Sequence, residues 1–208
     1  MTTQVQVHST EHVHRDDVGA RLGMWLFLFT ELILFGGMFL VYSVYRFTHQ
    51  AEFHIAAKEL NTIVGTFNTM ILLTSSMTMA LSIVAIQRAN KRLSIFFQFL
   101  TILLAVFFLV NKYFEWSVKF HHGIYPGSET LLNEKSGDIL FFGLYYVMTG
   151  LHGLHVLVGI ILISVMMRFT SKGVVKHDDY IKLENTGLYW HLVDIIWIFL
   201  FPLFYLIT

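Results

Sequence analysis

Cysteine is absent from this chain of 208 residues, which excludes disulfides, thiolate-bound zinc or iron–sulfur centres, and thiol nucleophiles. Any metal would have to take His and carboxylate ligands. Charge is scarce as well: Asp, Glu, Lys and Arg make up 13% of the residues, against about 25% in a typical soluble domain. Basic and acidic side chains balance at 14 each, so there is no cationic surplus to neutralise phosphates, and nucleic acid is not an expected partner. No P-loop, Rossmann fingerprint, zincin motif or Gly-x-Ser-x-Gly elbow is present, and no catalytic residue is expected. The first 21 residues include His8, His12, His14, Asp16 and Asp17 without the apolar core of a signal peptide. They read as a short polar tail, residues 1–21.

What remains is apolar: 55% of the chain is hydrophobic and 16% aromatic. A helix needs about 20 apolar residues to cross a hydrocarbon core of roughly 30 Å. Five segments meet that length, at residues 22–45, 63–86, 93–116, 138–167 and 184–207. The connections are too short for a soluble domain, so residues 22–208 are expected to form one all-α integral membrane domain, a bundle of five transmembrane helices. The Pro126-Gly127 pair marks a turn after the third span.

Lys and Arg concentrate on the cytoplasmic side of membrane proteins. Arg15, Arg21, Arg88, Lys91, Arg92, Arg168, Lys172, Lys176 and Lys182 fall on one side, and Arg46, Lys58, Lys119 and Lys135 on the other, with Lys112 just inside the third span. The N-terminus is therefore expected in the cytoplasm and the C-terminus in the periplasm.

An ionisable residue inside a span costs at least about 2.5 kcal/mol and needs a partner. Five must be explained: Glu31 on the first span, His152 and His155 on the fourth, His191 and Asp194 on the fifth. At about 1.5 Å per residue they lie at comparable depths. Tyr145, Thr149, His152, His155 and Gly159 share a face of the fourth helix, and His191 and Asp194 share one of the fifth. The pattern predicts a buried cluster of acid and imidazole between spans one, four and five. Mutual hydrogen bonding that fixes helix packing is the plainer reading; proton relay or ligand binding is the sharper one. A metal would require Glu31 and His191 to converge within ligand distance, and none is expected. On the second span Gly65, Asn68, Leu72, Ser75, Met79 and Ser82 form a stripe suited to close helix packing. Lys112 and Glu115, three apart near the end of the third span, read as a surface ion pair reaching the headgroups. Pro202 removes the hydrogen bond to the Ile198 carbonyl and is expected to bend the last turns.

Two of these segments resemble a known family. Thr149-Gly150-Leu151-His152-Gly153-Leu154-His155-Val156-Leu157-Val158-Gly159 and Tyr189-Trp190-His191-Leu192-Val193-Asp194-Ile195-Ile196-Trp197 are similar to signature helices of haem–copper oxidase subunit III, in its five-helix bacterial form. Arg21-Leu22-Gly23-Met24 leading to Thr30-Glu31 resembles the helix that carries that family's buried glutamate, and Asn61-Thr62 and Tyr113-Phe114-Glu115-Trp116 fit in order. The resemblance implies a subunit without cofactors of its own, in the bacterial inner membrane. Haem and copper are expected on its partner, oxidase subunit I, with other oxidase subunits nearby and a larger respiratory supercomplex as a further setting. It also implies bound phospholipid, with Arg21 placed to meet a headgroup, and support of the partner's stability and proton uptake during oxygen reduction. Seven-helix members have two further helices before the first one here. Cytochrome c oxidase is the expected complex; a quinol oxidase or nitric oxide reductase accessory subunit is the alternative, and a transporter or a haem-bearing electron carrier stands behind those.

Overall fold

A computed structural model describes residues 17–133 and 135–207. Seven helical segments follow in order: α1 (Asp17–Thr48), α2 (Gln50–Ala57), α3 (Thr62–Gln87), α4 (Lys91–His121), α5 (Glu129–Leu132), α6 (Ser136–Ser171) and α7 (Ile181–Tyr205). Of these α1, α3, α4, α6 and α7 are long and apolar enough to cross a membrane, as the hydrophobic runs predict. No strand occurs among the described residues. Four of the helices outrun at both ends the apolar runs that predicted them, whereas α7 starts three residues earlier than its run and stops two residues short of its end. Residues 17–21 belong to α1 rather than to a polar tail, whose first 16 residues, with His8, His12, His14, Arg15 and Asp16, lie outside the described residues. The two short helices α2 and α5 were not expected, because neither holds enough apolar sequence to stand out against the loops around it.

Local chemistry sets the boundaries. Asn61 caps α3, its side-chain oxygen accepting from the Ile63 and Val64 amides at 3.0 and 3.3 Å. Asn90 does the same for α4 through the Leu93 amide at 3.2 Å, satisfying N–H groups the first helical turn leaves unpaired. Only Arg88, Ala89 and Asn90 join α3 to α4, with Ala89 in the left-handed region at φ 57°. The Pro126-Gly127 turn is present, Gly127 at φ 88°.

The helices α3, α4, α6 and α7 close a four-helix bundle in which α3 packs on α4 and α7, and α6 packs on the same two. α1 lies outside it against α6 and α7, and α2 packs on α6. Only Leu28, Phe35 and Tyr42 of α1 are fully buried; their seven-residue spacing makes one narrow seam. The expected stripe on α3 is inside: Gly65, Asn68, Leu72, Ser75, Met79 and Ser82 are all buried. It joins neighbours by packing and by hydrogen bonds. A Cβ on Gly65 would sit 2.8 Å from both Phe201 and Tyr205, Ser75 accepts from the Trp190 indole at 3.1 Å, and Asn68 accepts from Asn111 at 2.9 Å. Trp190 and Trp197 fill the centre of the bundle, Trp190 against Gly159, where a Cβ would approach its ring to 2.6 Å.

The segment after Pro202 is held by side chains from early in the chain. The Tyr42 hydroxyl donates to the Leu203 carbonyl, Thr62 donates to the Tyr205 carbonyl at 3.2 Å, and His54 Nδ1 meets the Ile207 carbonyl at 3.1 Å. Last-turn carbonyls lack intrahelical partners, and here α1, α2 and α3 provide them.

Candidate functional site: polar groups inside the bundle

The five residues singled out from sequence do not converge into one cluster. Glu31 and His155 do meet, Oε2 lying 2.9 Å from Nε2, with side chains only 15% and 13% exposed. His155 Nδ1 lies 2.8 Å from the Leu151 carbonyl, an acceptor only, so Nδ1 carries a hydrogen. The edge of Phe35 packs against the imidazole at 5.3 Å, and the Tyr189 hydroxyl donates to the His155 carbonyl at 3.1 Å. The pair ties α1 to α6 at mid-span.

His152, three residues earlier, faces a different way. A step of three residues rotates by about 300°, which turns His152 from α1 toward α4 and α7. Its ring lies between Phe108 and Trp197, centroids at 5.7 and 5.2 Å. It is wholly buried, with neither nitrogen hydrogen-bonded.

On α7, His191 turns to α3, and its Nδ1 is 2.7 Å from the Ser76 hydroxyl. Asp194 is 2% exposed, and neither of its oxygens makes a hydrogen bond of good geometry, although the Ser76 hydroxyl lies beside it. Three separate stations therefore replace the predicted cluster: Glu31–His155, His152 among aromatic rings, and Ser76–His191 beside Asp194. Arg21, placed from sequence as a headgroup ligand, makes an ion pair with Glu184 at 3.0 Å while remaining 52% exposed. Among the described residues, no three His, Asp or Glu side chains gather as a metal site would need.

The most complete polar site was misread from sequence. Lys112 and Glu115 are not at the surface: each side chain is only 9% exposed. Lys112 Nζ donates to Glu115 at 3.1 Å and to the hydroxyls of Tyr145 and Tyr205 at 2.9 Å each. Both tyrosines donate in turn to Glu115 Oε1, at 2.7 and 2.6 Å. All three ammonium hydrogens are used, and the carboxylate accepts on both oxygens, so the four residues form a closed ring joining α4, α6 and α7. The aromatic faces of Tyr145 and Trp197, 4.9 and 5.4 Å from Nζ, favour the buried cation further. Two turns beyond Lys112 on α4, Lys119 donates to the Glu59 carbonyl at 3.2 Å. A lysine placed several residues before the end of an apolar run, with a tyrosine on the polar face of α6, was the available signal. Nothing local pointed to Tyr205, 90 residues beyond Glu115.

Comparison with known proteins bears on what this bundle belongs to. The family model for cytochrome c oxidase subunit III matches residues 2–208. The chain is 31% identical over 201 residues to cytochrome c oxidase subunit 3 of Thermostichus vulcanus, covering 96% of this chain and 93% of that one. It is 27% identical to a probable quinol oxidase subunit 3 of Staphylococcus saprophyticus, covering 90% of this chain and 88% of the relative. A third relative is the haem–copper oxidase subunit I+III of Aeropyrum pernix, 30% identical over 196 residues; the match spans 90% of this chain and 22% of that much longer polypeptide.

Proposed function

Because the chain belongs to the cytochrome c oxidase subunit III family, we propose that it is the third subunit of a haem–copper terminal oxidase. In that role it is a multi-pass, non-catalytic partner of the subunit that holds haem and copper. The observation that carries this reading is the subunit I+III relative, in which a region matching nearly this whole chain is part of one polypeptide with subunit I. The interior of the bundle agrees with a structural role. Its most polar site is a closed ring with every strong donor and acceptor occupied, as befits a clamp rather than a reaction centre.

The reading extends to a bacterial cytoplasmic membrane. The end of the bundle carrying Arg21, Arg88, Lys91, Arg92 and Arg168 faces the cytoplasm, on the positive-inside rule, and the opposite end faces the periplasm. The subunit stabilises the catalytic subunit during turnover, holds phospholipid and supports proton uptake. Cytochrome c is the proposed electron donor, after the names of several relatives; the quinol oxidase relatives favour a second reading in which quinol takes its place. The test is a mild-detergent pull-down from native membrane, read by mass spectrometry and a reduced-minus-oxidised spectrum. A haem-bearing polypeptide recovered in equal amount is the expected result, and cytochrome c or quinol oxidation by the complex names the donor. A colourless chain recovered alone would refute the assignment.

A further inference from the structure

His191 leaves one nitrogen unexplained. Nδ1 is engaged with Ser76, whereas Nε2 has no partner and is not enclosed: the residue is partly exposed on the surface of the bundle. It stands seven residues beyond Glu184, about 10 Å along α7 toward the middle of the membrane. Lipid ester and phosphate groups do not reach that depth, and acyl chains carry neither donors nor acceptors. An imidazole nitrogen opening onto hydrocarbon leaves a polar group unsatisfied. The same spot holds a second buried polar group, the Asp194 carboxyl, with only the Ser76 hydroxyl beside it. Polarity thus converges just under the face where α3 and α7 adjoin.

We propose that this α3–α7 face, centred on His191, is the docking surface for a transmembrane helix of the haem–copper subunit. That helix presents a hydroxyl, amide, carboxyl or free backbone carbonyl to His191 Nε2 below the level of the headgroups. Lipid cannot supply such a group there, so the occupant is protein. The fused relative, which pairs one subunit I region with one subunit III region in a single polypeptide, favours the large subunit over a second copy of this chain. Leu73 on α3 and Ile195 on α7, 48% and 46% exposed, flank His191 and form the apolar surround of the contact. The inference rests on the oxidase-subunit reading and adds to it the face used.

The test uses the intact complex, with a photo-activatable benzoyl-phenylalanine placed singly at Leu73 and Ile195 and, as controls, at Leu103 of α4 and Leu157 of α6, which are also exposed. Leu73 and Ile195 are both expected to crosslink to the haem-bearing subunit. Crosslinks from the controls with none from those two would overturn the proposal, as would crosslinking of Leu73 or Ile195 to a second copy. Co-purification of the wild-type chain with the haem subunit is read first. If it fails, the oxidase reading fails; if it holds and the crosslinks fall elsewhere, only the docking face is wrong. His191→Leu is expected to lower retention of the haem subunit about tenfold, the equivalent of one lost hydrogen bond to a desolvated group. His191→Gln keeps a donor and should keep most of the retention. Equal loss in both variants, with the subunit itself folded, would also overturn the proposal.

Discussion

Replacing Glu115 by Gln isolates the electrostatic part of the four-residue ring. The amide oxygen still accepts from Tyr145 and Tyr205, whose hydroxyls lie 2.7 and 2.6 Å from Glu115 Oε1, and the side-chain volume barely changes. What goes is the negative charge 3.1 Å from Lys112 Nζ, in a place where both side chains are only 9% exposed. Breaking a buried ion pair from one side leaves the other charge uncompensated, at a cost of about 3–5 kcal/mol. Lys112→Met should cost a similar amount, by stranding the carboxylate. The double variant removes both charges and is expected to cost less than either single change, since replacing a buried pair with neutral groups is often close to neutral. Equilibrium unfolding in mixed micelles with increasing dodecyl sulfate measures all three on one scale. The reasoning is refuted if Glu115→Gln costs under about 1 kcal/mol, the range of an exposed pair, or if the double variant costs the sum of the singles.

Other consequences of the packing can be checked in the same assay. Gly159→Ala should destabilise by about 1–3 kcal/mol, because its new methyl would meet Trp190 at 2.6 Å; Gly153→Ala, with nothing within 4 Å, should be neutral or stabilising by up to about 1 kcal/mol. Glu31→Leu leaves His155 Nε2 without its partner and should cost about 1–3 kcal/mol, shortening the active lifetime of the assembled oxidase; Glu31→Gln should be milder, and equal lifetimes for Leu and wild type would remove the pair's proposed role. Arg21→Gln breaks an exposed pair and should change stability by no more than about 1 kcal/mol.

The spans were legible because length and hydropathy are local properties. The α3 stripe was legible because helical spacing converts sequence into a face directly. Pairing across helices was not. Depth along the membrane brought Glu31, His152, His155, His191 and Asp194 to one level, but depth is only one coordinate. Rotation about each axis, set by packing of Trp190 against Gly159 and Trp197 against Phe108, sent His152 inward and His191 toward α3. Lys112 and Glu115 were assigned to the surface because a lysine near a helix end can snorkel. The tyrosines that hold it inside come from α6 and α7; helical spacing puts Tyr145 on the polar face of α6, but no local pattern announces Tyr205.

The three side chains that grip the chain beyond Pro202 have a temporal consequence. Tyr42, His54 and Thr62 are synthesised long before the carbonyls of Leu203, Tyr205 and Ile207 that they bind. Those three side chains are made before the acceptors they bind in the finished fold exist. The turns after Pro202 are thus fastened by side chains made before them, so α7 is locked in place only after the helices that hold it.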